Sequence, residues 1–264
     1  SITDGLGKAA GSPANAVKVS FRDANLRYAG AGADSLSDIT FDVAPGETVG
    51  IIGGTGSGKS SLVNMIPRFY DASQGSVCID GVDVKDYTLD ELRHKVGVVP
   101  QKAVLFAGTI ADNIRWGKQD ATEAEIDEAL EIAQAKEFVD GKENGIYFKI
   151  TQGGKNLSGG QKQRLTIARA VVRKPEILIL DDSASALDFA TDAALRKAIR
   201  EKTKGMTVFL VSQRASTIMN SDKIIVMDDG QIAGIGTHRQ LLSNCEIYRE
   251  ICQSQLSEEE LSHE

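Results

Sequence analysis

The chain has 264 residues, 41% hydrophobic and 25% charged, and a formal net charge of −7 from 30 basic and 37 acidic side chains. These values sit near globular averages and exclude a disordered or fibrous chain. The acidic balance argues against a dedicated nucleic-acid surface and against attachment to anionic lipid. The length predicts one large domain or two lobes, with enough buried apolar surface to fold without disulfides or a structural metal. Three widely spaced cysteines, Cys78, Cys245 and Cys252, fit no disulfide framework or zinc spacing, so a reducing compartment is expected.

Residues 1–16 are small and polar and read as a linker or frayed terminus. The start lacks the apolar core of a signal peptide, and no stretch approaches the roughly 18 apolar residues of a membrane span. The chain therefore reads as a soluble intracellular domain, which still allows it to be a piece of a larger membrane protein. Val17 to Tyr28 has strand-like spacing, and Ile39 to Val43 alternates cleanly. Ala44-Pro45-Gly46-Glu47 predicts a turn, and Thr48 to Ile52 a short apolar strand entering a glycine-rich loop. A helix is expected from Lys59 and is stopped by Pro67, with strands near Ser76–Ile79 and Val96–Val99.

From about Thr109 to Asp140 the pattern turns helical, and Thr122-Glu123-Ala124-Glu125 reads as a capping box. A further helix is expected over Gln161–Arg173. The run Ile177–Leu180 then predicts a strand buried on both faces. A helix over Thr191–Lys202, a strand over Thr207–Val211 and another helix come next. Strands Lys223–Met227 and Gln231–Ile235 should join through an Asp229-Gly230 hairpin turn, and two helices close the chain. This order predicts an α/β core interrupted by an all-helical arm.

Gly53-Gly54-Thr55-Gly56-Ser57-Gly58-Lys59-Ser60 fits the P-loop spacing G-x-x-x-x-G-K-[ST], between a strand and a helix as the motif requires. Glycines let consecutive backbone N–H groups turn toward a polyphosphate, and the helix N-terminus adds positive partial charge. Lys59 would reach the β- and γ-phosphates and Ser60 would take a place on Mg²⁺, with Ser61 completing the cradle. Asp181, ending an apolar strand, reads either as a helix cap or as the carboxylate that holds Mg²⁺ through water.

Leu157-Ser158-Gly159-Gly160-Gln161-Lys162-Gln163-Arg164, taken with these motifs, resembles the signature of ATP-binding cassette (ABC) ATPases. Ser158 and Gln161 also read as a helix cap box. The resemblance runs from about Val17 to Gln255. It implies a P-loop NTPase (RecA-like) core with an antiparallel β subdomain over 17–101 and 165–256, an inserted α-helical subdomain over 102–164, and an acidic tail over 257–264. It also implies ATP and Mg²⁺ as cofactors, with Gln101 and Asp181 joining Ser60 near the metal. Tyr28 resembles the aromatic that stacks on adenine, although an edge-strand aromatic looks the same. The signature, Leu157 to Gln161, would serve the nucleotide of a second cassette in a head-to-tail dimer. Ser185-Ala186-Leu187-Asp188 resembles the D-loop. Gly108 to Ile114 and Asn156 are similar to exporter cassettes, which implies a transmembrane-domain partner and a place on the cytoplasmic face of a membrane. His94 and His238 read as solvated.

Two positions depart from the family. Asp182 stands where the catalytic glutamate is expected, its carboxylate drawn back by about one bond, or 1.5 Å. Gln213 stands where the family has a histidine, and it can donate an N–H but cannot become cationic. Lys149 to Lys155 also departs from the acidic segment usual before an exporter signature. Together these imply the degenerate half of a heterodimeric exporter. A self-sufficient homodimeric transport ATPase and a soluble, non-transport ABC ATPase are the alternatives.

Overall fold

The computed structural model describes residues 2–5, 17–257 and 261, so most of the predicted linker and acidic tail lies outside the described residues. In chain order the first elements are β1 (Val19–Leu26), β2 (Leu36–Val43), β3 (Thr48–Gly53), α1 (Lys59–Asn64), β4 (Gln74–Ile79), β5 (Val82–Asp83), α2 (Leu89–Lys95) and β6 (Val96–Val99). Then follow β7 (Gly108–Thr109), α3 (Ile110–Arg115), α4 (Glu123–Ile132), α5 (Lys136–Asp140), β8 (Lys149–Ile150), α6 (Gly159–Val171), β9 (Ile177–Asp181) and α7 (Phe189–Lys202). The last are β10 (Thr207–Val211), α8 (Ala215–Ile218), β11 (Lys223–Asp228), β12 (Gln231–Gly236), α9 (His238–Asn244) and α10 (Glu246–Gln255). They form two compact units, one within Ser1–Val96 and Thr207–Glu264, the other within Gly97–Met206.

The first unit contains an antiparallel sheet in the order β2-β1-β4-β5. Val19, Phe21, Ala24 and Leu26 are its buried side, and Phe21 stacks on Phe41 across the β1–β2 register at 4.6 Å. Alternation slips at Asp23, whose φ of 44° coincides with a register shift between Phe21 and Ala24, the mark of a bulge. In the same unit β3 runs parallel to β10 on one side and β11 on the other. Parallel neighbours on both sides explain why Val49, Ile51 and Ile52 form a continuous apolar run with no exposed surface. β11 returns as antiparallel β12 through Asp229 and Gly230, both at positive φ (45° and 74°), the hairpin turn expected.

The C-terminal helices correct one expectation. His238 is not solvated: its Nδ1 shares a 2.5 Å hydrogen bond with the hydroxyl of fully buried Tyr248, and its Nε2 is buried without a partner. Burial pushes the His238 pKa down and the Tyr248 phenol up. His94 is exposed as expected.

In the second unit β9 is buried along its whole length and lies beside β6, while α3 and α4 pack on α6. The arm is not all-helical, because β7 and β8 pair antiparallel, Gly108 opposite Ile150. Only half of the predicted box at α4 forms. The Thr122 hydroxyl accepts the Glu125 N–H at 3.2 Å, but the Glu125 carboxylate turns to Lys118 Nζ at 2.6 Å. An ammonium out-competes a backbone N–H for a carboxylate, since both partners then carry charge. Among the described residues no helix is long and apolar enough to cross a membrane.

Candidate functional site: a phosphate-binding loop and an acidic strand end

β3 ends at Gly53 and α1 begins at Lys59, so the glycine-rich segment is the connection between a buried strand and a helix. Gly56 and Gly58 have φ of 77° and 101°, conformations that side chains rarely adopt. At Gly53 an added Cβ would lie 2.3 Å from the Met227 carbonyl oxygen, so glycine is needed for β3 to pass the end of β11. Gly54, Thr55 and Gly56 are exposed, as is Ser60 on the first turn of α1. Lys59 is 9% exposed and its Nζ donates to the carbonyls of Gly53 at 2.7 Å and Gly54 at 3.0 Å. The buried Ser57 Oγ has no hydrogen-bond partner.

The β11–β12 turn holds this loop from beneath. Gly230 N–H donates to the Ser57 carbonyl at 3.0 Å, and an added Cβ on Gly230 would meet the Ser35 carbonyl oxygen at 2.3 Å. Tyr28 lies against the loop's helix, its hydroxyl 2.5 Å from Ser61 Oγ and its ring edge-on to Tyr70 at 4.8 Å. Also in this unit, Gln213 follows β10 with an exposed side chain. Its carbonyl accepts from Gln255 Nε2 at 2.8 Å, and the N–H of Ala215 donates to Gln255 Oε1 at 2.8 Å.

The remaining expected site residues belong to the second unit. Asp181 ends β9 and is 9% exposed. Asp182 follows at a φ of 49°, a left-handed conformation that Asp and Asn tolerate better than longer side chains. Gln101 Nε2 donates to the Asp182 carboxylate at 3.3 Å, so two positions 81 residues apart in sequence meet.

The cap box at α6 forms in full: Ser158 Oγ accepts the Gln161 N–H at 3.2 Å and Gln161 Oε1 accepts the Ser158 N–H at 3.1 Å. Leu157 is buried while Ser158 and Gly159 are exposed. An added Cβ on Gly160 would lie 3.2 Å from the Ala186 carbonyl oxygen, so the glycine at this position lets the Ala186 backbone pack close to α6. Gln163 is the residue that sequence reasoning missed here. Its Oε1 accepts the Ala186 N–H at 3.0 Å and its Nε2 reaches Ser185 Oγ at 3.3 Å. A signal existed, since Gln163 shares a helix face with Ile167 and Ala170, and a polar residue on an apolar stripe needs partners. Leu187 is buried, and Asp188 caps α7, the Thr191 N–H at 2.7 Å holding its carboxyl below the usual range. Asn156 ties Thr151 to Lys149, and buried Asn113 binds both the N–H and the carbonyl of Phe106.

The first unit's loop supplies an ammonium, an orphaned buried hydroxyl and glycine backbone, which together fit an anionic polyphosphate. Among the described residues no cluster of three or more His, Cys, Asp or Glu is arranged to hold a metal by itself. In the first unit, the Ser60 hydroxyl at the start of α1 is a hard oxygen donor of the kind that suits Mg²⁺ when phosphate oxygens supply the other ligands.

Comparison with known proteins agrees with this chemistry. A family profile described as ABC transporter matches residues 36–185. An uncharacterized ABC transporter ATP-binding protein of Mycobacterium tuberculosis is 46% identical over 235 residues, which is 88% of this chain and 40% of that protein. An ATP-dependent lipid A-core flippase of Hahella chejuensis is 41% identical over 242 residues, covering 91% and 41% of the two. A solved bacterial Atm1-family ABC exporter with ATP bound superposes with a TM-score of 0.90 at 35% identity, over 97% of this chain and 45% of that one. The chain thus spans about two fifths of the length of the curated relatives it matches.

Proposed function

The chain belongs to the ABC transporter family, and from that premise we propose that it is the ATP-binding and ATP-hydrolysing domain of an exporter, the slow half of a heterodimeric pair. Gly53 to Ser61 would hold MgATP, with adenine on Tyr28; Ser60, Gln101 and Asp181 would hold Mg²⁺, which would supply charge neutralisation for phosphoryl transfer. The helical subdomain is 102–164, and the partners are a second cassette and a transmembrane domain at the cytoplasmic face of a membrane. The similarity to a lipid flippase and to an Atm1-family exporter supports the exporter reading.

The slow-half reading is carried by one observation: otherwise intact motifs contain a short acid at 182 and an uncharged amide at 213. Asp182 would orient the attacking water from one methylene further back. Gln213 would donate a hydrogen bond to a phosphate oxygen without supplying positive charge. Well-placed acid–base groups contribute a factor of about 10²–10⁴, so a retreat of this kind slows the chemistry more than the binding.

The experiment is single-turnover ATP hydrolysis with the partner site disabled. Asp182→Glu combined with Gln213→His should raise the rate at least about tenfold. Each change alone should give less than its share, because residues acting as a unit are non-additive. No gain in the double variant, or an unaltered rate equal to the partner site's, favours the self-sufficient homodimer. In calorimetry Lys59→Ala should lose tight MgATP binding, since amides cannot replace a charge on the phosphates. Unchanged affinity in that variant removes the site assignment.

A further inference from the structure

The start of α8 lacks a local cap. Arg214 occupies the N-cap position, and its side chain makes no capping hydrogen bond. The N–H of Ala215, one of the orphan donors of a helix start, is instead accepted at 2.8 Å by Gln255 Oε1, 40 residues further along the chain. The same amide group donates through Nε2 to the Gln213 carbonyl at 2.8 Å. One side chain therefore brackets the backbone on both sides of Arg214.

Gln255 is the last residue of α10. It continues the helix stripe formed by Tyr248 and Cys252, both without exposed surface, at the i, i+4, i+7 spacing of one face. The packed part of α10 thus anchors the exposed amide that grips the segment after β10. Before that segment, Ser212 Oγ accepts the Arg214 N–H at 3.0 Å, so the Gln213 backbone is fixed from both directions while its side chain stays exposed.

We propose that Gln255 is a positioning residue for hydrolysis: the C-terminal helix sets where the Gln213 side chain can reach, without itself touching nucleotide. This rests on the role proposed above for residue 213. A helix at the end of the chain then controls the rate of a site whose nucleotide-binding loop it leaves alone. Any event that lifts the last turn of α10 slows chemistry and spares ATP affinity.

The test compares Gln255→Leu in the complete protein with the unaltered one. MgATP affinity should stay within about twofold, while single-turnover hydrolysis should fall about three- to tenfold, the worth of one or two hydrogen bonds. Amide hydrogen exchange across residues 212–216 should accelerate by a similar factor, with the P-loop peptide unchanged. The decisive arm is the Gln213→Ala background, where Gln255→Leu should cost nothing more, because no side chain remains to be positioned. Gln255→Glu keeps an acceptor for the Ala215 N–H but sets an oxygen against the Gln213 carbonyl, so it should keep protection at Ala215 and still slow hydrolysis. It decides by the same comparison if the leucine variant does not fold. An equal loss in the Gln213→Ala background, or unaltered hydrolysis in both variants, overturns the proposal. Failure of the unaltered protein to bind MgATP would instead overturn the reading of the site itself, and this inference with it.

Discussion

Gly230 illustrates how a single residue far from the motif can set it. Its φ of 74° and the 2.3 Å approach of the Ser35 carbonyl to a built Cβ leave no room for a side chain, and its N–H supports the Ser57 carbonyl. Gly230→Ala must strain the backbone or push it off Ser35, at a cost of about 1–3 kcal/mol. We expect a urea midpoint lowered accordingly, together with weaker MgATP binding, because the support under the P-loop shifts. A loss of stability with full affinity would mean that the turn and the loop are mechanically independent. Asp182 is a different case, since its φ of 49° suits a short side chain with an acceptor near the backbone. Replacing it with Glu gains reach and gives up some of that local fit, so the gain predicted for the restored pair is a lower bound on what the base contributes.

At the scale of elements, α9 and α10 are joined through the His238–Tyr248 hydrogen bond. Burial lowers the His238 pKa in the folded state, whereas the unfolded chain keeps the ordinary value near about 6.5. The unfolded state therefore binds the proton more readily. The stability linked to this site is complete above roughly pH 6.5 and is lost as pH falls below it. Urea midpoints measured from pH 7.5 to pH 5.5 (about one unit either side of that value) should decline, and His238→Phe should flatten part of the decline. An identical slope in the variant would place the pH dependence elsewhere. The expectation of a solvated His238 failed because nothing in the local sequence announces that a helix ten residues later carries the ring against which it packs.

For the molecule as a whole, the cap at Ser158 and Gly159 is exposed, and the head-to-tail pairing that the family resemblance implies needs an accessible signature. Ser158→Ala should leave MgATP affinity of this chain unchanged. In the paired cassettes it should suppress hydrolysis at the partner's site by about 10²–10³, the usual effect of losing a donor aimed at developing charge. Loss of this chain's own binding in that variant would argue against pairing in trans. What the sequence determined by itself is whatever depends on near neighbours: the P-loop, the full cap box at Ser158, the buried run of β9 and the Asp229-Gly230 turn. These follow from spacing, backbone preference and hydrophobic periodicity, all of which act over a few residues. The tertiary structure alone decided that Gln101 meets Asp182, that Gln163 holds Ala186, that Gln255 caps a helix 40 residues earlier and that Glu125 prefers Lys118 to its own cap. Each of these is a choice among competing hydrogen-bond partners, and the chain order of residues does not say which partner folding will bring within 3 Å or so.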